Sequence, residues 1–299
     1  MIAAPWSGTK QLGVAAATTY GYGTAVDAGG NVYVVGSTNG GLDGNTRTGI
    51  TDFFITKYDA SGKKLSTTQL GVAGFNTQAR SVAVDAKNGY VYVAGATTGG
   101  LDGNTLTGVQ DFFLTQYNLA GTKQYTRQLG VAGANTYSYG TAVDAGGNVY
   151  VAGFTNGGLD GNTLTGTQDF FVTKYNSAGT KLYTKQLGVA GARTFSSGTA
   201  TDAGGNVYVA GATTGGLDGN TLAGMYDFFV TKYNSAGTKQ YTRQLGVAGA
   251  TNTFGSGTAV DAGGNVYVVG NTNGGLDGNT LTGTQDFFVT KYNSAGTKQ

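Results

Sequence analysis

The chain has 299 residues, with 18 Lys and Arg against 16 acids, and it contains neither Cys nor His. Without them, disulfides, thiol nucleophiles, His general bases and the usual zinc sites are excluded together, and all 16 acids are Asp. Gly reaches 55 residues but recurs at fixed places, and 39% hydrophobic residues suffice for a core, which argues against disorder.

The N-terminal Met1–Trp6 is too short for a signal peptide, and no apolar run is long enough to cross a bilayer as a helix. The expectation is a monomer without membrane insertion. Missing cysteines suit an extracellular or cell-surface bacterial protein whose signal peptide is not present in this chain.

From Gln11 onward the chain repeats itself. Gln-Leu-Gly occurs at Gln11, Gln69, Gln128, Gln186 and Gln244, at spacings of 58, 59, 58 and 58 residues. A fixed period in this range marks a repeat architecture, here 11–68, 69–127, 128–185, 186–243 and 244–299. In the third copy four strands are predicted, over 140–144, 148–154, 169–175 and 181–187. Each is rich in Val, Tyr, Phe and Thr and bounded by Gly, Asn, Asp or Ser. Ala145-Gly146-Gly147 and 176–180 are short hairpin connections, and no segment has a helical apolar period.

Four antiparallel strands in each of five copies predict an all-β, closed five-bladed β-propeller, one domain over 1–299. The last copy stops at Lys298-Gln299, before its fourth strand, while residues 1–10 carry a spare one ahead of Gln11. Trp6–Leu12 is therefore expected to be the outermost strand of the last blade, closing the ring. Pro5, the only proline, would stand just outside that strand, where it removes no ladder bond.

Two runs carry a resemblance. Gly-Thr-Ala-Val-Asp-Ala-Gly-Gly-Asn-Val-Tyr-Val-Ala-Gly from Gly140, and Asp-Phe-Phe-Val-Thr-Lys-Tyr-Asn-Ser-Ala-Gly-Thr-Lys from Asp169, resemble the SBBP β-propeller repeat of bacterial cell-surface and secreted proteins. They are more distantly similar to NHL-type blades, in which the strand matching 140–144 lines the central channel. The family name implies seven blades where this chain has five. The resemblance implies a fold and a surface context, and no catalytic motif.

Strand order puts the tight turns on one face and the long loops on the other. The long-loop face is the candidate binding face, because binding residues concentrate on loops held by a rigid scaffold. Its bases are Arg47, Arg80 and Arg193. Its acids are Asp43, Asp102, Asp160, Asp218 and Asp277, with Asp52, Asp111, Asp169, Asp227 and Asp286 at the loop exits. An acidic face is expected, and nucleic acid is excluded as a partner.

Within the Gly-Leu-Asp-Gly-Asn loops, oxygen side chains fall at alternate positions: Asp43 and Asn45, Asp102 and Asn104, Asp160 and Asn162, Asp218 and Asn220, Asp277 and Asn279. Calcium takes such ligands. The spacing matches no EF-hand, however, and Asp and Asn also cap turns through their own backbone; the main expectation is no cofactor.

The segments entering each first strand vary most. They present Tyr20 and Tyr22, Arg80, Tyr137 and Tyr139, Phe195, and Phe254. Aromatic rings beside small polar groups could stack on sugars or anchor a protein at up to five similar sites, or pack between blades. No repeat carries a unique catalytic cluster. The expected function is a non-enzymatic binding or scaffold module, with multivalent carbohydrate binding on the long-loop face. The alternatives are a protein–protein scaffold and a structural or engineered propeller with no ligand.

Overall fold

The computed structural model describes residues 6–250 and 252–299; residues 1–5, with Pro5, lie outside that set. The strands are β1 (Thr19–Val26), β2 (Val32–Thr38), β3 (Asp52–Tyr58), β4 (Lys64–Leu70), β5 (Thr77–Asp85), β6 (Tyr90–Thr97), β7 (Asp111–Asn118) and β8 (Lys123–Leu129). They continue as β9 (Thr136–Val143), β10 (Val149–Thr155), β11 (Asp169–Tyr175), β12 (Lys181–Leu187), β13 (Thr194–Thr201), β14 (Val207–Thr213), β15 (Asp227–Tyr233) and β16 (Lys239–Leu245). The last three are β17 (Thr253–Val260), β18 (Val266–Thr272) and β19 (Asp286–Tyr292).

Each repeat forms one antiparallel sheet in sequence order, β1 to β4, β5 to β8, β9 to β12 and β13 to β16. The last sheet has three strands, β17-β18-β19, and residues 6–12 form no strand. The first strand of each sheet begins four or more residues before the predicted 140–144, because Thr136 and its counterparts already pair. Thr77 Oγ1 lies 3.1 Å from Thr97 Oγ1 and Thr194 Oγ1 lies 3.0 Å from Thr213 Oγ1 across the first hairpin.

By internal contacts the chain forms two compact units, Met1–Thr141 and Ala142–Gln299, with the boundary inside β9. Within each unit the core is made by sheets facing one another. The second strands are apolar on both sides: Val91, Val93, Val207 and Val209 are all fully buried. Neighbouring third strands interlock through their Phe pairs. Phe53 stacks on Phe113 at 5.0 Å in the first unit, and Phe170 on Phe229 at 5.0 Å and Phe228 on Phe288 at 4.9 Å in the second. Such offset pairs add about 1 kcal/mol each beyond area burial.

Lysines tie one sheet to the next. Lys57 Nζ donates to Leu119 O at 2.7 Å, Lys174 Nζ to Ser235 O at 2.9 Å and Lys232 Nζ to Ser294 O at 2.9 Å. Each ammonium also sits over a second-strand Tyr ring, Tyr33, Tyr150 or Tyr208. The Asp-Ala-Gly-Gly-Asn hairpins are closed by their own side chains. Asp144 Oδ1 accepts from the Gly146 and Asn148 amides at 2.9 Å, and Tyr150 donates its hydroxyl to Asp144 Oδ2.

Candidate functional site

The long loop of each repeat is organised by a buried carboxylate. Asp52 starts β3 and is fully buried. It accepts the Thr48 and Gly49 amides at 2.7 Å and the Gln69 Nε2 at 2.9 Å, while Gln69 Oε1 accepts the Leu42 amide at 3.0 Å. Asp111 with Gln128, Asp169 with Gln186 and Asp227 with Gln244 repeat this arrangement. The glycine after each Gln-Leu is required by it. A Cβ on Gly71, Gly130, Gly188 or Gly246 would stand 1.6 to 1.7 Å from the Asp Oδ1.

These Asp residues correct the expected acidic face. Asp52, Asp111, Asp169 and Asp227 are structural and hidden, because a carboxylate that gathers amides from its own loop must sit inside it. Of the six remaining acids, Asp286 keeps two backbone amides and the other five are paired with lysines. Asp43 pairs with Lys64, Asp102 with Lys123, Asp160 with Lys181, Asp218 with Lys239 and Asp277 with Lys298. The Lys64 ammonium holds the Asp43 carboxyl below the usual carboxylate value.

The same contacts shape the Gly-Leu-Asp-Gly-Asn loop. Asp43, Asp102, Asp160, Asp218 and Asp277 take left-handed backbone at φ 55 to 57° inside single-turn 3-10 helices. Asn45 turns its Nδ2, a donor, onto Leu42 O at 2.8 Å and Thr67 O at 3.1 Å. Asn104, Asn162, Asn220 and Asn279 likewise donate to Leu101, Leu159, Leu217 and Leu276. In this arrangement each Asn amide turns its nitrogen inward and each loop carboxylate faces an ammonium, whereas calcium takes oxygen ligands. Among the described residues no cluster of three or more metal-binding acids occurs.

The variable aromatic residues lie in the first strands rather than in the loops ahead of them. Pairing starts at Thr19 and its counterparts, and a bulge follows. The register of β1 on β2 shifts between Gly21 and Gly23, and that of β5 on β6 between Ala79 and Ser81. Tyr22 and Arg80 are thus the unpaired bulge residues, and bulges re-aim the side chain they carry.

In the first unit these residues converge. The Arg80 guanidinium lies over the Tyr22 ring at 4.3 Å and 5.9 Å from the Tyr139 ring. Tyr20 stacks beside Tyr22 at 6.0 Å, and Tyr137 beside Tyr139 at 6.4 Å. Arg80 Nη2 donates to Gln78 Oε1 at 2.7 Å. Burial pushes the Tyr139 hydroxyl pKa up, against the opposing pull of Arg80. Tyr20 is 57% exposed and borders a groove of about 200 Å3 lined by Thr18, Ser37, Asn39, Thr51 and Gln78.

In the second unit a different cluster forms. Phe195 and Phe254 lie 6.1 Å apart, and Tyr226 joins them at 6.3 and 4.9 Å. Met225 beside it is 59% exposed. Tyr226 was not among the sequence candidates. Its signal was legible: Met225-Tyr226 stands where the other repeats have Ile50-Thr51, Val109-Gln110, Thr167-Gln168 and Thr284-Gln285. The five expected sites are therefore not alike. One cluster is tyrosine and arginine, the other phenylalanine with Tyr226.

A β-propeller repeat model, SBBP, matches residues 8–43, 67–102, 124–160, 182–218 and 240–277. No curated protein matches the chain. Solved structures similar in fold include a gluconolactonase from Xanthomonas campestris, at 13% identity and TM-score 0.44 over 91% of this chain and 72% of that one. A calcium-binding regucalcin from Agrobacterium tumefaciens has 11% identity and TM-score 0.42 over 93% and 72%. A GH43 β-xylosidase/α-arabinofuranosidase from a compost metagenome has 14% identity and TM-score 0.41 over 96% and 95%. These neighbours correct the expectation of a non-enzymatic module.

Proposed function

The chain belongs to the SBBP β-propeller repeat family, and on that premise we propose that it is a binding module that holds carbohydrate against the first-strand tyrosines of its N-terminal unit. The observation that carries this reading is the exposed Tyr20 ring beside a groove of hydroxyl and amide side chains. An aromatic face next to convergent polar groups is what a sugar ring needs, one surface to stack on and donors and acceptors at its edge. A glycan array followed by NMR titration of the hits tests it. Tyr20→Ala should weaken any hit at least tenfold while leaving the far-ultraviolet circular dichroism unchanged. Silence across the array, or hits indifferent to Tyr20→Ala, would overturn the reading.

A second reading, a protein partner, is favoured by the other cluster. Phe195, Tyr226, Phe254 and exposed Met225 make an apolar platform with a flexible thioether at its rim.

We also propose that Trp6–Leu12 completes the last blade and closes a five-bladed ring. Four carboxylates have a Gln partner 17 residues on, as Asp52 has Gln69. Asp286 keeps its Thr282 and Gly283 amides at 2.8 and 2.9 Å but has no glutamine partner among the described residues. The remaining Gln-Leu-Gly glutamine is Gln11, and the glycine after it, Gly13, has open space where its four counterparts have a carboxylate. On β19, Phe287 is 82% exposed where Phe53, Phe112, Phe170 and Phe228 are fully buried. Against the first sheet, Trp6 already covers Gly62 as Tyr183 covers Gly237, with Lys10 over its ring as Lys185 lies over that of Tyr183.

A further inference from the structure

We propose that the Tyr22–Arg80–Tyr139 cluster selects acidic saccharides, sugars that carry a carboxylate such as uronic acid oligomers, over neutral ones. This rests on the carbohydrate reading above and adds a charge requirement to it.

Arg80 is held by its faces and left available at its edge. Tyr22 covers the guanidinium at 4.3 Å, and Tyr139 lies on its flank at 5.9 Å. Of the five N–H donors a guanidinium presents in its plane, Gln78 takes one. Among the described residues no carboxylate pairs with Arg80, whereas Lys64, Lys123, Lys181, Lys239 and Lys298 each have an Asp. A fixed, planar and uncommitted fork suits bidentate capture of a carboxylate.

The surroundings suit a sugar acid better than a bare anion. Tyr20 continues the stack from Tyr22 at 6.0 Å and is the most open ring of the set. A pyranose stacked there can reach the Thr18, Ser37, Asn39 and Thr51 groove with its hydroxyls while a carboxylate on it or on the next ring meets Arg80. The position is unique in the sequence. The residue corresponding to Arg80 is Tyr22, Tyr139, Ser197 and Ser256 in the other repeats, so the cation is placed in one repeat only, between two tyrosine-bearing neighbours.

The test is calorimetric titration of the full chain with trigalacturonic acid, its methyl ester, and an oligoglutamate peptide, repeated on Arg80→Gln and Tyr20→Ala. Binding of the acid at least tenfold tighter than the ester, with that preference erased in Arg80→Gln and all saccharide affinity lowered in Tyr20→Ala, is the expected result. Equal affinity for acid and ester would overturn the charge selection and leave the carbohydrate reading standing. Oligoglutamate binding as tight as trigalacturonate would show a general carboxylate site and overturn the saccharide assignment. Absence of all binding would overturn both. Arg80→Lys serves as the folding-neutral check; it keeps the charge but loses the fork, and the preference should fall at least severalfold.

Discussion

Replacing Gly13 by Ala separates a completed last blade from an incomplete one. In the third repeat, the equivalent Gly188→Ala puts a methyl 1.7 Å from Asp169 Oδ1, so the carboxylate must move. It would loosen from the Thr165 and Gly166 amides at 2.8 Å and from Gln186 Nε2 at 3.0 Å. Three buried hydrogen bonds at about 1 kcal/mol net each, with an overpacking cost of about 1–3 kcal/mol, give a loss of roughly 4–6 kcal/mol. Gly13 has no neighbour within 4 Å and no left-handed φ. With residues 6–12 undocked, its replacement would be neutral or stabilise by about 0.5 kcal/mol through the unfolded chain. Docked beside Asp286, the same methyl meets the same carboxylate, and the strand detaches. Amide hydrogen exchange over residues 6–12, read beside urea unfolding, is the assay, with Gly188→Ala as the internal standard. Wild-type protection and wild-type stability for Gly13→Ala, together with a strongly destabilised Gly188→Ala, would refute the seam.

Other outcomes are expected. Gln186→Ala should cost about 2–3 kcal/mol in urea unfolding, because it strips a partner from both buried Asp169 and the Leu159 amide. Lys181→Ala should change stability by less than about 1 kcal/mol, since its partner Asp160 lies at the surface. Acid should destabilise the fold. Asp43, Asp59, Asp261 and Asp286 are all lowered from 3.8 by hydrogen bonds, foremost those from Lys64, Ser61, Asn265 and the Thr282 amide. Their contribution is present above 3.8 and is lost as pH falls through the lower folded values, so urea midpoints should drop below about pH 4. At the alkaline end, burial raises Tyr92 and Tyr183 to about 12. Their stabilising share holds below 10 and fades between 10 and 12, so their 295 nm ionisation should accompany unfolding.

The repeats, the strand count per repeat and the hairpin chemistry were legible in the sequence because period, Val-Tyr-Val runs and Asp-Ala-Gly-Gly-Asn turns are local signals. The site was legible in its residues but not in its placement. Tyr22 and Arg80 read as loop residues because a one-residue bulge interrupts the alternation that would have put them on a strand. Asp52 and its counterparts read as surface acids because their partners are amides three and four residues back and a glutamine 17 residues ahead. A constant Asp-to-Gln interval followed by Leu-Gly was the available clue. Tyr226 was visible as a departure from Gln and Thr at its position, yet its meaning depends on Phe254 at 4.9 Å, a neighbour from the next repeat.

The Asp–Gln interval also sets an order in time. Within a blade the two groups meet across 17 residues, whereas Gln11 and Asp286 stand 275 residues apart in the chain. Loop-closure entropy grows as the logarithm of that span, adding about 2.5 kcal/mol to the longer search. Four blades can therefore lock early and independently, while the proposed seam waits until the rest is built. During that wait Asp286 cannot tell its own Gln11 from that of another molecule. Refolding at high concentration should then yield strand-exchanged dimers and chains of copies, and dilution should favour the closed monomer.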